Sequence, residues 1–102
     1  MYTVHQDIGI SSGLLANIIE VLVRHVDPVR IIIFGSRARG DFGKVSDVDI
    51  AIERRRGSRL NRTDIEEEVR TLLKLDIVDL NEVDGALRKE VEEQGIVVYE
   101  KD

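Results

Sequence analysis

Cysteine is missing from all 102 residues of this chain, which removes both a disulfide framework and a thiolate metal site from consideration. Tryptophan is absent too and aromatic residues make up only 4%, so the core has to be built from aliphatic side chains. There is one proline, Pro28, no low-complexity stretch and no internal repeat, a composition that speaks for an ordered globular chain. No apolar run reaches the roughly 18 residues needed to span a bilayer. The opening "MYTVHQDIGI" lacks a basic segment followed by an apolar one, and the expectation is a soluble, cytoplasmic protein with no membrane partner. Positive charge is not in excess: the net charge of −5 excludes a general nucleic-acid coat, whose affinity comes from accumulated Lys and Arg. A chain of this size buries roughly 65% of its unfolded surface, which predicts a single domain over residues 1–102.

What is present is a clear alternation of periods. "SSGLLANIIEVLVRHVDP" places Leu15, Ile18, Ile19, Leu22 and Val26 on one helical stripe, with Ser11 or Ser12 as N-cap and Pro28 at the end. "VRIIIF" is short, β-branched and nearly all apolar, the pattern of a strand covered on both faces. "SDVDIAIE" reads as a second strand, and the glycine-rich "GSRARGDFGKV" between them as a turn with one helical turn through Ser36 to Arg39. "RTDIEEEVRTLLKLD" has a capping box, Thr63 with Glu66, and a stripe of Ile65, Val69, Leu72 and Leu73, which predicts a second long helix. "LDIVDL" is a third strand, "VDGALRKEVEEQG" a helix capped by Asp84 and stopped by Gly95, and "IVVY" a closing edge strand. The order predicts an α+β (α/β) layer structure, a small mixed β-sheet packed with helices.

Chemistry is concentrated in "FGSRARGDFGKVSDVDIAI", residues 34–52. Asp47 and Asp49 are two apart on a predicted strand and face the same side, with α-carbons roughly 6.6 Å apart. Carboxylates held about 4 Å apart repel by ~4 kcal/mol at an effective dielectric near 20, so a cation is expected between them. Oxygen ligands without His or Cys suit Mg²⁺, with Mn²⁺ as the alternative. Standing alone, a D-x-D pair is as well explained by a strand cap and an arginine partner. Its neighbour changes the reading: Gly35 and Ser36 follow a buried strand directly, where glycine permits a tight turn and exposed N–H groups and a hydroxyl seat an anion. A phosphate seat thus adjoins a metal seat, the two requirements of a nucleoside triphosphate.

Other phosphate motifs fail on spacing. Gly35 and Gly40 match G-x-x-x-x-G, but Asp41 stands where a P-loop has lysine, and G-x-G-x-x-G does not occur. Neither His5 nor His25 is placed to serve as base for Ser36, and His25 suits the C-terminal end of the first helix.

Gly35-Ser36, ten intervening residues and Asp47-x-Asp49 resemble the signature of the nucleotidyltransferase superfamily that includes DNA polymerase beta. Within it, "IIIFGSRARGDFGKVSDVDIAI" is similar to the minimal nucleotidyltransferases (MNT) of HEPN–MNT toxin–antitoxin pairs, and "LDIVDLNEVDGALRKEVEEQGIVVYEK" extends the resemblance, which runs from about Ser12 to Tyr99. The resemblance implies a DNA polymerase beta-like fold and a third carboxylate, which falls on Asp76, with Asp79 as the alternative. Being three apart on a strand, these two face opposite sides, and only one can join the pair. It further implies that Asp47, Asp49 and Asp76 bind two Mg²⁺ ions and carry catalysis, that Gly35 and Ser36 hold the terminal phosphates, and that Arg37 and Arg39 offset their charge. The implied reaction is transfer of AMP from ATP to a tyrosine of a HEPN toxin, within a hetero-oligomer in which this chain is the antitoxin. A rival reading is a catalytically weak nucleotide-binding antitoxin that neutralises its partner by complex formation. The run Arg54 to Arg62 in "RRRGSRLNR" is open between a solvated loop and a surface for an acidic partner or RNA.

Overall fold

A computed structural model describes residues 7–101. The elements follow in the order α1 (Ser12–Val26), β1 (Pro28–Phe34), α2 (Ser36–Arg39), β2 (Val48–Arg54), α3 (Arg62–Glu68), β3 (Leu75–Asp79), α4 (Gly85–Gln94) and β4 (Ile96–Glu100). The four strands form one sheet in the order β3-β2-β1-β4. β1 is antiparallel to both β2 and β4, while β2 and β3 run parallel. This is the mixed α+β arrangement that the element order predicts, with β4 at an edge.

The period-2 alternation of the central strands divides the apolar residues between two layers. Ile31 and Ile33 of β1, Val48, Ile50 and Ile52 of β2, Leu75 and Ile77 of β3 and Val98 of β4 pack against α1 and α3. Ile32, Phe34 and Ala51 turn to the other face and meet Leu80 and Val91 of α4. Ile31, Ile32 and Ile33 are all at most 1% exposed, so "VRIIIF" is covered on both faces as its composition requires. Each fully buried Ile is worth about 2 kcal/mol relative to exposure, and the sheet centre is the stable part of the molecule.

α1 forms as expected. The Ser11 hydroxyl oxygen accepts from the Leu14 N–H at 3.0 Å, and all five stripe residues are buried, joined by Val21. The helix ends one residue before Pro28 at Asp27, whose φ of 51° is the sole positive φ of a non-glycine among the described residues. Its carboxylate accepts from the Lys101 ammonium at 2.9 Å, and that bond, first, with Arg55 in support, holds the Asp27 carboxyl below the ordinary carboxylate range.

α3 departs from the expectation. It spans seven residues rather than a long helix, and its cap is Asn61, whose side-chain oxygen accepts from the Asp64 N–H at 3.2 Å, not the Thr63–Glu66 box. At Val69 the backbone turns extended, with φ −78° and ψ 111°, and Leu72 is wholly exposed while Leu73 is half-buried. The cause is tertiary. β3 must start level with β2, the Lys74 carbonyl accepts the Val48 N–H at 2.8 Å, and an extended segment covers that distance with fewer residues than a helix rising 1.5 Å per residue. Val69 and Thr71, both β-branched, give up little helix propensity there.

α4 begins after Asp84 and stops at Gly95, whose N–H donates to the Val91 carbonyl at 2.9 Å. Gly95 has an ordinary φ of −73°; glycine is required because a Cβ would strike Ile32 Cγ2 and come within 2.5 Å of the Val91 carbonyl oxygen. The chain therefore turns from α4 into β4 directly on top of β1.

Candidate active site

The topology brings the chemically active residues to one end of the sheet. β1 is antiparallel to β2, so the C-terminal end of β1 lies beside the start of β2, with Phe34 opposite Asp49. β3 is parallel to β2, so its start lies at the same end, with Asp49 level with Asp76. Leu75, Ile77 and Asp79 share one face of β3, and Asp76 takes the other, which is also the face of Asp49. Asp47 stands just before β2 and is exposed, as is Asp76, while Asp49 is half-buried.

The turn after β1 is built against this cluster. Gly35 has φ 72° and ψ −151°, a region that is essentially glycine's own. A Cβ on Gly35 would fall onto the Asp49 carboxylate oxygen Oδ2 and lie 2.9 Å from its Cγ. Both the dihedrals and the close approach demand glycine. α2 follows at once: the Gly35 carbonyl accepts from the Arg39 N–H at 3.0 Å, and the Ser36 carbonyl accepts from Gly40 and Asp41 at 2.9 and 3.1 Å. The first N–H groups of a helical turn have no acceptor within it, and here they start beside Asp49.

Electrostatics follow from the crowding. The Asp49 carboxyl is pushed above its ordinary range first by burial, then by the negative charges of Asp76 and Asp47 and by Asp76 lying close enough to share a proton with it; Arg39 opposes the rise. Among the described residues no group of three or more His, Asp or Glu side chains is placed to hold a metal ion. The chemistry of the Asp49–Asp76 pair nevertheless suits a hard cation: oxygen donors only, and mutual repulsion that a cation would relieve.

Arg37 is not where the sequence reading put it. It is 0% exposed and its guanidinium points inward, donating to the Ile8 carbonyl at 2.9 Å and to the Ser46 carbonyl at 2.8 Å from Nη2, with the Phe42 ring centroid 5.2 Å away. A buried guanidinium needs its donors satisfied, and here they are, so Arg37 does not reach a phosphate. It ties the N-terminal segment and the loop ahead of Asp47 to α2. Arg39 is exposed, near Asp41 at 3.4 Å, and is the cation of the two that acts on Asp49. Arg37 was misread because an arginine after Gly-Ser signals an anion site in sequence, whereas its carbonyl partners lie 29 and 9 residues away.

Asp79 is accounted for elsewhere. It is 4% exposed and pairs with Arg54 Nε at 2.7 Å, and its other oxygen accepts from the Asn81 N–H at 2.9 Å. It caps a turn and is buried on the face of β3 opposite Asp76. His25 sits in the last turn of α1, 2.9 Å from Glu68, far from any serine nucleophile role; His5 lies outside the described residues.

Known proteins share this fold. The family model "Polymerase beta, Nucleotidyltransferase" matches residues 16–102. A toxin–antitoxin structure containing AMP-PNP superposes with a TM-score of 0.68 at 26% identity, covering 84% of this chain and 73% of that one. A variant of the toxin–antitoxin pair MntA–HpeT gives 0.63 at 25%, covering 85% and 72%. A protein assigned as a minimal nucleotidyltransferase gives 0.62 at 26%, covering 92% and 98%. No curated protein matches. With the matched family model spanning the turn, the carboxylates and the whole sheet, the chain belongs to the polymerase beta nucleotidyltransferase family, and its structural neighbours support an MNT-type member.

Proposed function

We propose that this chain is a single-domain, cytoplasmic protein nucleotidyltransferase that transfers AMP from ATP to a tyrosine hydroxyl of a HEPN-type toxin and thereby acts as its antitoxin in a hetero-oligomer. The observation that carries the reading is the fit of Gly35 against Asp49 with Asp76 level on the next strand: an anion-seating turn and a cluster of carboxylates share one corner. The neighbouring toxin–antitoxin structure with AMP-PNP supports a triphosphate substrate and a toxin partner.

Asp47, Asp49 and Asp76 would hold the divalent ions, two Mg²⁺ with Mn²⁺ as substitute, which on binding supply Lewis-acid stabilisation of phosphoryl oxygens. Every other part falls to the chain's own groups. Gly35, having no side chain, lets the Asp49 carboxylate lie against the turn, the Gly35–Ser36 turn, with the Ser36 hydroxyl and the first N–H groups of α2, holds the phosphate oxygens, and Arg39 offsets their charge. Arg37 keeps α2 and the Asp47 loop in register through the Ile8 and Ser46 carbonyls. The acceptor oxygen forms a bond to the α-phosphorus, the bond to the β-phosphate oxygen breaks, pyrophosphate leaves with that electron pair, and the hydroxyl proton passes to solvent. Positioning supplies most of such a rate enhancement.

Incubation of the purified chain with α-labelled ATP, Mg²⁺ and its genomic neighbour tests this. Label on a tyrosine of the neighbour, lost when that tyrosine becomes Phe, supports the transferase; a tight complex without label identifies the binding-only antitoxin instead.

A further inference from the structure

At the opposite end of β2 from Asp49 lies a cavity of about 290 Å³ lined by Arg54, Ser58, Arg59, Leu60, Arg62, Asp79 and Glu82. Five residues of strand separate Asp49 from Arg54, about 17 Å, and the odd spacing puts the two on opposite faces of the sheet. One nucleotide cannot serve both places.

Two of the arginines here are held in place. Arg54 donates from Nε to Asp79 at 2.7 Å and from Nη1 to the Ser58 carbonyl, while Asn81 bonds its backbone on both sides, accepting from the Arg54 N–H at 2.8 Å and donating to its carbonyl at 3.2 Å. Arg62, on the cavity lining, donates from Nε to the Ile77 carbonyl at 2.9 Å, a bond that restrains its guanidinium and uses only one of its five donors. Arg59 forms no ion pair among the described residues. Asp79 is neutralised by Arg54, so two further guanidiniums stand against Glu82 alone. Two guanidiniums held by the protein, Arg54 and Arg62, with Arg59 beside them on the lining of one concave site are an arrangement that recognises phosphate, whose oxygens match the planar fork of N–H donors.

We propose that this cavity is a second anion site, independent of the carboxylate corner, that binds a phosphate group of a free nucleotide or of an RNA backbone. The test uses the full chain in EDTA, where the metal-free carboxylate corner repels anions, with pyrophosphate as probe and backbone and arginine Nε resonances read by NMR. The expected result is saturable shifts at Ser58, Arg59 and Arg62 and at least a fivefold loss of affinity in Arg59→Gln, with the amide spectrum away from the cavity unchanged, since Arg59 makes no side-chain bond among the described residues. A ten-nucleotide single strand binding at least tenfold tighter than ATP, with a steep salt dependence, identifies RNA as the source; equal affinities identify the free nucleotide. Absence of shifts at millimolar pyrophosphate, indifference to Arg59→Gln, or equally strong shifts with polyglutamate would overturn the proposal.

Discussion

Replacing Gly35 by Ala perturbs the corner on which the functional reading rests, and the size of the effect follows from two separable causes. The backbone at φ 72° and ψ −151° costs a non-glycine residue about 1–3 kcal/mol. The new Cβ also meets the Asp49 carboxylate, with Cγ at 2.9 Å and Oδ2 nearer still, and Asp49 sits on a strand whose neighbours Val48 and Ile50 are 0% exposed, so it must swing its side chain rather than retreat. We expect a total loss of about 2–4 kcal/mol, a fall of ~1–2 M in the urea midpoint at ordinary m-values. Asp49→Ala removes the offending atoms but not the dihedral strain. In a double-mutant cycle, Gly35→Ala should therefore cost about 1–2 kcal/mol less in the Asp49→Ala background than in the parent. An unchanged cost in both backgrounds would refute the close approach, and a cost below about 0.5 kcal/mol in the parent would refute the strain as well.

Three further outcomes are expected. Asp49→Asn should stabilise the metal-free protein by about 0.5–1 kcal/mol near neutral pH, by removing first the cost of a half-buried charge and then its repulsion from Asp76 and Asp47. Because the folded Asp49 carboxyl titrates above its ordinary value of 3.8, the parent's handicap is absent at low pH and sets in as pH rises through the folded value; melts of both proteins should converge in acid and separate towards neutrality. Arg37→Leu should lower stability by about 2–4 kcal/mol, leaving the Ile8 and Ser46 carbonyls without their donor, and Arg37→Lys should recover only part, since an ammonium lacks the fork that reaches both. Asp79→Ala should cost roughly 3 kcal/mol by stranding a largely buried Arg54, whereas Asp79→Leu combined with Arg54→Leu should be close to neutral; equal denaturation midpoints for the single and double variants would contradict the pairing.

The parts legible in the sequence were those governed by local pattern. Leu15, Ile18, Ile19, Leu22 and Val26 mark the buried side of α1, the isoleucines of β1 announce a strand covered on both faces, and the three-residue spacing of Asp76 and Asp79 puts them on opposite faces of β3, without saying which of them lies on the face of Asp49. Contacts across long sequence separations were not legible. Ile65, Val69, Leu72 and Leu73 have helical spacing, yet the need to lay β3 beside β2 ends α3 at Glu68. Arg37 carries the sequence context of a phosphate ligand, yet its partners Ile8 and Ser46 come from segments with no local relation to it. The partner of Asp79 is illegible for the same reason: nothing in "LDIVDL" names Arg54, 25 residues away, as its counter-ion.

The central claim is that Asp47, Asp49 and Asp76 gather cations beside the Gly35–Ser36 turn to hold a triphosphate. Calorimetric titration of the parent and of Asp76→Asn with AMP-PNP in the presence of Mg²⁺ tests it most directly. The account predicts binding by the parent that vanishes in EDTA and weakens more than tenfold in Asp76→Asn; equal affinity in the two proteins, or binding indifferent to Mg²⁺, would contradict it.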